Sequence, residues 1–316
     1  MKAFAVHELQ HPSKIKLTTN WPEPKPKPNQ VLVDVYAAGL NYYDILQALG
    51  RYQIKLPIPF VLGTEFAALI ALEGAYTERI AVDLTNVMKI PDSLPFTQAA
   101  GMFITFPTSY EALVGRAQLK AGEWVLVTAA AGGVGMAAVQ IAKGLGAKVV
   151  AAAGSQEKLD IVKKYGGADY TVDYTKKGWQ QEVLKITGGR GVDVIYDPVG
   201  MITDCLKCIA WKGRAIVVGF AAGTIEKVPM NLVLLKNIAV LGIFWGGYQV
   251  KEPEHMPGVY RKILQLVADG QVATPAVYSK TYTLETIAEG LSALENRKTW
   301  GKVVVQIKEE PTKAKL

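Results

Sequence analysis

The feature that most constrains this chain is a regular alternation of apolar and amphipathic segments between residues 124 and 243. Amphipathic stretches that predict helices, such as residues 136–145 and 156–165, separate the first four apolar segments. Apolar strands joined by such helices indicate an α/β fold with a doubly wound parallel sheet of about six strands. The predicted strands are residues 124–128, 148–153, 169–172, 193–197, 214–219 and 237–243.

The rest of the chain shows short strand-like segments separated by Pro, Gly, Asn and Asp. In the first third these segments are residues 3–6, 14–18, 31–37, 65–72, 76–82 and 87–90. Residues 272–316 again predict strands around one helix, at residues 284–294. Because 316 residues are many for a single core, we predict two domains. A β-domain would hold residues 1–98 and 273–316, and the parallel sheet would hold residues 99–272.

The first strand of the sheet leads into a glycine-rich turn, Ala130-Ala131-Gly132-Gly133-Val134-Gly135, which precedes a predicted helix. This is an Ala-x-Gly-x-x-Gly variant of the dinucleotide fingerprint. The first of these glycines lets the backbone approach a pyrophosphate, and the last lets the helix pack closely on the strand. We therefore predict that Gly132, Gly133, Val134 and Gly135 bind a dinucleotide.

The end of the second strand indicates which dinucleotide is bound. A site for NAD has an acidic residue there, whereas this chain has residues 151–153, all Ala, then Gly154 and Ser155, with Lys158 in the next helix. A hydroxyl and an ammonium bind the 2′-phosphate that a carboxylate would repel. The sequence therefore favours NADPH.

Three later strands also end in turns that contain glycine. The turns are Asp197-Pro198-Val199-Gly200, Val218-Gly219-Phe220 and Phe244-Trp245-Gly246. Parallel sheets bind ligands at the carboxyl ends of their strands, so we interpret these turns as further contacts of the cofactor. Phe244 and Trp245 are equally compatible with a place in the core.

Charge and cysteine content exclude several classes of protein. The net charge is +7, but the lysines lie in three separate segments without interleaved aromatic residues, so nucleic-acid binding is not expected. Cys205 and Cys208 are too few for a disulfide framework or a four-thiolate zinc site. Residues 125–142 carry no charge, yet they include the glycine turn, which favours a strand, a turn and a helix over a membrane span.

Motifs along nearly the whole chain carry a resemblance to a known family. They are Gly39-Leu40-Asn41-Tyr42-Tyr43-Asp44, Gly50-Arg51-Tyr52, Pro59-Phe60-Val61-Leu62-Gly63-Thr64-Glu65, the turn ending at Gly135, Gly188-Gly189-Arg190-Gly191-Val192-Asp193, Tyr196-Asp197-Pro198-Val199-Gly200 and residues 231–246. Together they resemble the zinc-independent quinone oxidoreductases of the zeta-crystallin type, in the medium-chain dehydrogenase/reductase superfamily. The Asp-Pro-Val-Gly and Leu-Leu-Lys-Asn runs are similar to the quinone oxidoreductase-like 2 branch.

The resemblance implies a GroES-like catalytic domain and a Rossmann domain that binds NADPH, in a homo-dimer or tetramer. It implies that Asn41 and Tyr52 orient the substrate or the ribose near the nicotinamide, where Thr108 also lies. It assigns the 2′-phosphate to Lys158 and Tyr174. The further residues that it assigns to the cofactor are Asp44, Asp197, Val199, Gly219, Phe220, Phe244, Trp245 and Gly246.

Two differences from related families bear on the site. Zinc-dependent relatives place Cys where Asn41 and its neighbours stand and add a four-Cys lobe that this chain lacks, so we expect no zinc. Only Glu73 and Gly74 separate the predicted strand ending at Leu72 from Ala75, where the family has a loop and a further strand. We therefore expect the first domain to lack one strand after residue 72, which would expose a sheet edge and reshape the substrate mouth.

Localisation is predicted from the two ends of the sequence. The first residues do not have the pattern of a secretory signal. The last three residues, Ala314, Lys315 and Leu316, approximate the Ser-Lys-Leu peroxisomal address. We expect a cytoplasmic or peroxisomal protein without a membrane partner.

These observations predict an NADPH-dependent reductase that transfers a hydride to a quinone or to an electron-poor alkene or enone. The nicotinamide carries the chemistry, so the protein has to align the donor with the acceptor and exclude water. Two alternatives remain open at this point. One is an enoyl-thioester reductase, and the other is a non-catalytic protein that binds NADPH or RNA.

Overall fold

The computed structural model describes residues 1–67, 69–70, 74–84 and 87–310. The chain divides into two compact units. The first unit holds Met1–Ile104 and the described residues from Val277 onward, and the second holds Thr105–Ala276. The loss of a strand expected after residue 72 and the C-terminal tripeptide both fall outside the described residues.

Short strands and helices alternate along the chain. The strands are β1 (Ala5–Val6), β2 (Gln30–Asp34), β3 (Ala37–Leu40), β4 (Phe60–Val61), β5 (Glu65–Phe66), β6 (Leu69–Ile70), β7 (Arg79–Asp83), β8 (Trp124–Val127), β9 (Lys148–Ala153), β10 (Tyr170–Asp173), β11 (Val192–Asp197), β12 (Ile209–Val217), β13 (Ala239–Gly242) and β14 (Val303–Gln306). The α-helices are α1 (Tyr42–Ala48), α2 (Phe96–Ala99), α3 (Thr105–Tyr110), α4 (Gly133–Gly144), α5 (Gln156–Ile161), α6 (Trp179–Ile186), α7 (Ile202–Cys205), α8 (Met230–Lys236), α9 (Trp245–Lys251), α10 (Met256–Ala268) and α11 (Ile287–Glu295).

The second unit contains a sheet of parallel strands in the order β10-β9-β8-β11-β12-β13. All residues of β11 are buried, and β9 is buried apart from Lys148. Such strands are typical of a sheet that helices cover on both faces. The predicted doubly wound α/β fold is therefore confirmed. The uncharged residues 125–142 form a strand, the glycine turn and most of α4, as the sequence predicts.

The first unit is built from small antiparallel sheets. One sheet has the order β14-β3-β5-β6, while β2 pairs with β7 and β1 pairs with β4. Phe4, Leu40, Phe66 and Tyr76 share one hydrophobic core with Val303. The segment after residue 277 therefore completes the sheet of the first unit.

Several predicted strands of the first unit are wrong. Residues 14–18 are not a strand, because Pro12 starts a 3₁₀ turn that the His11 side chain caps, and only Thr18 bridges to Ala3. Residues 87–90 form no ladder and lead into Pro91. The segment 31–37 breaks into β2, which pairs with β7, and β3, which pairs with β14. The segment 65–72 contains two separate strands, β5 and β6, which pair with each other.

Gly135 allows α4 to lie close to β8. A Cβ atom at this position would lie 2.3 Å from the carbonyl oxygen of Ala129 and 2.9 Å from the Cα of Ala130. These distances are far below van der Waals contact, so a larger residue must push the helix away from the turn. Glycine is therefore required here by a close approach of backbone to backbone.

We expect Gly135→Ala to lower the free energy of unfolding by about 1–3 kcal/mol, because overpacking strains the neighbouring backbone. Gly258→Ala is a matched control, since Gly258 is helical and a Cβ there meets nothing within 4 Å. The control should be neutral or raise stability by up to about 1 kcal/mol. Urea unfolding measures both variants, and equal stabilities would contradict the prediction.

Candidate functional site

The glycine turn presents the start of α4 at the carboxyl end of β8. Gly132 precedes the helix, and the first backbone N–H group to bond within it is that of Met136, which donates to the Gly132 carbonyl at 2.8 Å. The N–H groups of Gly133, Val134 and Gly135 therefore have no partner inside the helix. Such a helix start attracts anions through its N–H groups and its dipole.

Ser109, on α3, supports this turn from the side. Its fully buried hydroxyl donates to the carbonyl oxygen of Val134 at 2.9 Å and accepts from the Tyr196 hydroxyl at 2.9 Å. Its neighbour Thr108, which the family resemblance places near the nicotinamide, has a half-buried side chain on the same helix. No local pattern marks Ser109, because its two partners lie far from it in the sequence.

The end of β9 gathers three residues that the sequence assigns to the 2′-phosphate. Ser155 caps α5, with its hydroxyl accepting from the backbone N–H of Lys158 at 3.4 Å. A Cβ at Gly154 would lie 3.4 Å from the ring of Tyr174 and 3.7 Å from its hydroxyl oxygen. Ser155, Lys158 and Tyr174 therefore lie together around one strand end.

Asp197 shapes the turn after β11 with its own side chain. One carboxylate oxygen accepts from the Thr128 hydroxyl and from the N–H of Val199, and the other accepts from the N–H groups of Gly200 and Met201. The side chain is 1% exposed, so these bonds satisfy a carboxylate that would be unfavourable to bury alone. Asp197 thus fixes the backbone of residues 199–201.

The turns after β12 and β13 carry the aromatic candidates. Phe220 follows Gly219 and is 41% exposed, and a Cβ at Gly200 would lie 3.4 Å from its ring. Phe244 is 50% exposed, whereas Trp245 is 5% exposed and begins α9 with Gly246. From the sequence, Phe244 and Trp245 are each compatible with the core or with a ligand contact. In the structure Trp245 is buried and Phe244 is exposed.

A buried polar cluster surrounds Asn41 in the first unit. The ammonium group of Lys302 contacts the carboxylate of Glu65 and donates to the side-chain oxygen of Asn41. The Asn41 amide nitrogen donates to Glu65 at 3.1 Å, and the N–H of Ile104 donates to the second Glu65 oxygen at 2.7 Å. The Lys302 and Glu65 side chains are 4% and 0% exposed, so each is the other's counter-ion.

Asp44 and Tyr76 extend this cluster. Asp44 Oδ2 accepts from the backbone N–H of Asn41 at 2.8 Å and from the Tyr76 hydroxyl, while Oδ1 has no hydrogen-bond partner among the described residues. Burial raises the pKa of Asp44 to about 7, against the opposing effect of the Tyr76 hydroxyl. Burial also raises the pKa of Tyr76 well above its usual value.

Tyr52 lies apart from these hydrogen bonds. It is half-buried, and its ring packs edge-on against Tyr43 with 4.3 Å between the ring centroids. Burial raises the pKa of Tyr52, so its hydroxyl keeps its proton at neutral pH. Asn41, Asp44 and Tyr52 belong to the first unit and the other candidate residues to the second, and their roles toward substrate or cofactor stay predictions.

Neither a metal cluster nor a membrane helix is found in the described part of the chain. No group of three or more His, Cys, Asp or Glu residues there is arranged to hold a metal ion. Cys205 and Cys208 are both buried, and burial raises the pKa of Cys208 to about 12. No described helix combines the length and apolar character that crossing a membrane needs.

Comparison with known proteins agrees with this pair of units. The family described as "Alcohol dehydrogenase GroES-like domain" matches residues 27–83, and the family described as "Zinc-binding dehydrogenase" matches residues 133–268. This pair of domains defines the medium-chain dehydrogenase/reductase class. The structure of the quinone oxidoreductase from Thermus thermophilus, solved also with NADPH, is 31% identical, with a TM-score of 0.85 over 97% of this chain and 100% of that one.

Two curated relatives narrow the class. Quinone oxidoreductase-like protein 2 homolog from Nematostella vectensis is 37% identical over 304 residues, covering 89% of this chain and 82% of the relative. Quinone oxidoreductase-like protein 2 from Bos taurus is 34% identical, covering 97% of this chain and 93% of the relative. The chain belongs to the quinone oxidoreductase branch of the medium-chain dehydrogenase/reductase superfamily, which confirms the predicted family.

The raised pKa of Asp44 predicts a pH dependence of stability. The folded protein holds the proton up to a pH of about 7, whereas the unfolded chain releases it near the ordinary value of 3.8. The contribution of Asp44 to stability therefore falls as the pH rises between these values, by about 1.4 kcal/mol per pH unit. The Asn side chain in Asp44→Asn does not titrate. The difference in unfolding free energy between wild type and variant should therefore fall as the pH rises through this range. Urea unfolding across this range measures it, and a difference independent of pH would contradict it.

Proposed function

We propose that the protein is a zinc-independent, NADPH-dependent reductase that transfers a hydride to a quinone or to an electron-poor alkene or enone. The observation that carries this proposal is the end of β9, where Ser155, Lys158 and Tyr174 gather and where residues 151–155 include no acidic residue. A hydroxyl, an ammonium and a phenol suit a phosphate group. The quinone oxidoreductases among its relatives, one of them solved with NADPH, support it.

The residues of the second unit fit NADPH. The N–H groups at the start of α4 suit its pyrophosphate, and the close approach at Gly135 keeps that helix start at the strand end. Asp197 acts by holding its turn in place. We assign the remaining contacts with the cofactor to Asp44, Thr108, Val199, Gly219, Phe220, Phe244, Trp245 and Gly246.

Bound NADPH would supply the hydride, which leaves binding, orientation and proton placement to the protein. Tyr52 keeps its hydroxyl proton and can donate a hydrogen bond to the acceptor oxygen, on which negative charge develops as the hydride arrives. Asn41 is held by Lys302 and Glu65, so its amide has one fixed orientation. We assign Asn41 and Tyr52 to the substrate side and propose that no zinc takes part.

The loss of NADPH absorbance in the presence of an ortho-quinone tests this function directly. We expect saturable oxidation of NADPH by the purified protein and much slower oxidation of NADH. An enone and an enoyl thioester are tested beside the quinone, and preference for the thioester would favour that alternative substrate. A folded protein that oxidises NADPH with none of them would contradict the proposed function, and retention on RNA that NADPH displaces would point to a non-catalytic role.

Lys158→Ala tests the proposed contact with the 2′-phosphate of NADPH. We expect its KM for NADPH to rise by roughly 10–100-fold, with little change for NADH, because a charge-assisted bond to phosphate is lost. Lys163→Ala is the control, since Lys163 is an exposed lysine further along the same helical segment. An equal effect of both substitutions would argue against a phosphate contact at Lys158.

We also propose that the protein forms a homo-dimer or tetramer in which two copies meet along β13. In the described part of the chain, β13 is an edge strand of the sheet, with Val240 exposed. The neighbouring segment of chain, α8, has no buried residue and exposes Met230, Leu234 and Leu235 by 67–79%. An apolar edge strand beside apolar side chains favours pairing with another chain.

Sedimentation velocity measures this association. We expect wild type to sediment as a dimer or tetramer and the combined substitution of Leu234→Glu with Leu235→Glu to shift it toward the monomer. Leu84→Glu is the control, because Leu84 is 55% exposed in the other unit. A monomeric wild type would overturn the proposed assembly.

A further inference from the structure

Glu111 is a buried carboxylate that the proposed function does not use. It lies directly after α3, at the start of the π-helical segment Glu111–Arg116, and the residue is 6% exposed. Its Oε1 accepts from the hydroxyl of Tyr248 at 3.1 Å, and its Oε2 lies 3.1 Å from Nε2 of His255. A carboxylate at this depth needs such partners to be tolerated.

The backbone around Glu111 makes room for this carboxylate. A Cβ at Gly115 would lie 2.1 Å from Oε1 and 2.4 Å from Cδ of Glu111, so a side chain at position 115 would displace this carboxylate from its present place. The segment is also wound more widely than an α-helix, an irregularity that is frequent at functional sites. The absence of a side chain at Gly115 therefore leaves the space that the Glu111 carboxylate occupies.

The two partners of Glu111 belong to an aromatic stack that contains Trp245. The Tyr248 ring stacks on Trp245 with 5.1 Å between centroids, and it lies 5.5 Å from the His255 ring at a similar tilt. Tyr260 closes the stack by packing edge-on against Trp245 at 5.8 Å. Because the carboxylate holds two of these rings by their polar atoms, the rings have little freedom to slide.

Trp245 is a member of the stack whose side chain has an unsatisfied polar atom within the described part of the chain. It follows β13, in the turn that we assign to the cofactor, and its indole Nε1 is buried without a hydrogen-bond partner among the described residues. A buried N–H group without an acceptor is unfavourable. An oxygen atom of a ligand bound at this strand end would supply the acceptor.

We propose that Glu111 is a positioning residue that, through Tyr248 and His255, holds Trp245 so that its indole N–H donates to an oxygen atom of the bound cofactor or acceptor. The proposal rests on the proposed function, because it deepens the site already assigned to residues 244–246. Glu111, Tyr248 and His255 act through Trp245 and make no contact of their own with the ligand.

Three variants test this arrangement. Glu111→Gln keeps the size of the side chain and removes its charge, Tyr248→Phe removes one hydroxyl and keeps the ring, and Trp245→Phe removes the indole N–H. Glu182→Gln is the matched control, because Glu182 is an exposed residue of α6. For each variant, calorimetry gives the Kd of NADPH, steady-state kinetics with an ortho-quinone give kcat and KM, and thermal unfolding gives Tm.

We expect Glu111→Gln and Tyr248→Phe each to lower kcat by roughly tenfold at saturating substrates, since small displacements of a contacting group slow the reaction strongly. Their combination should lower kcat no further than one of them alone, because both act through one contact. Trp245→Phe distinguishes the two sources of the oxygen atom. A higher Kd of NADPH points to the cofactor, and a higher KM of the quinone alone points to the acceptor.

Wild-type values of kcat, KM and Kd in folded Glu111→Gln and Tyr248→Phe variants would overturn the positioning role. A lower Tm with unchanged kinetics would have the same meaning, because it would show a purely structural contact. If Glu111→Gln does not fold, Tyr248→Phe decides the question, since it keeps the aromatic stack. Wild-type protein that neither binds nor oxidises NADPH would instead overturn the proposed function, and this inference with it.

Discussion

The first unit depends on one buried ion pair, between Lys302 and Glu65. Removing one partner of such a pair typically costs about 3–5 kcal/mol, because the other charge is left without a counter-ion. The pair joins the chain just before β14 to β5, and through Asn41 it also holds the start of α1. The N–H of Ile104 binds the same carboxylate at the last residue of the first segment of this unit. The orientation of Asn41, a candidate substrate contact, is therefore a consequence of the pair.

The parallel sheet could be predicted from the sequence, and much of the first unit could not. Each strand of the sheet is buried on both faces, so an apolar run marks it without knowledge of its neighbours, as in β11. Strands of two residues, such as β5 and β6, carry no such signal, because their existence depends on which distant backbone they pair with. Residues 14–18 look like a strand and form none, because the His11 side chain caps the 3₁₀ turn Pro12–Lys14 and only Thr18 bridges to another segment.

The residues of the candidate site also fall into two groups, those that the sequence predicts and those that it does not. The glycine turn and the capping residue Ser155 are shaped by contacts with residues close to them in the sequence, so sequence spacing predicts their positions. Ser109, Glu111 and Lys302 were missed, because every contact that gives them a role reaches across many residues of chain. One signal was available for Lys302, a lone charge immediately before the apolar run of β14, since a charge beside a buried strand needs a partner.

The first unit takes residues from both halves of the chain, which has a consequence for its synthesis. Glu65 leaves the ribosome long before Lys302, so its counter-ion is missing while most of the protein is being made. The second unit is a continuous segment, Thr105–Ala276, and has all its strands available in the meantime. Since the nascent chain lengthens by roughly 5–20 residues per second, the ion pair of the first unit can form only after the whole second unit has been synthesised.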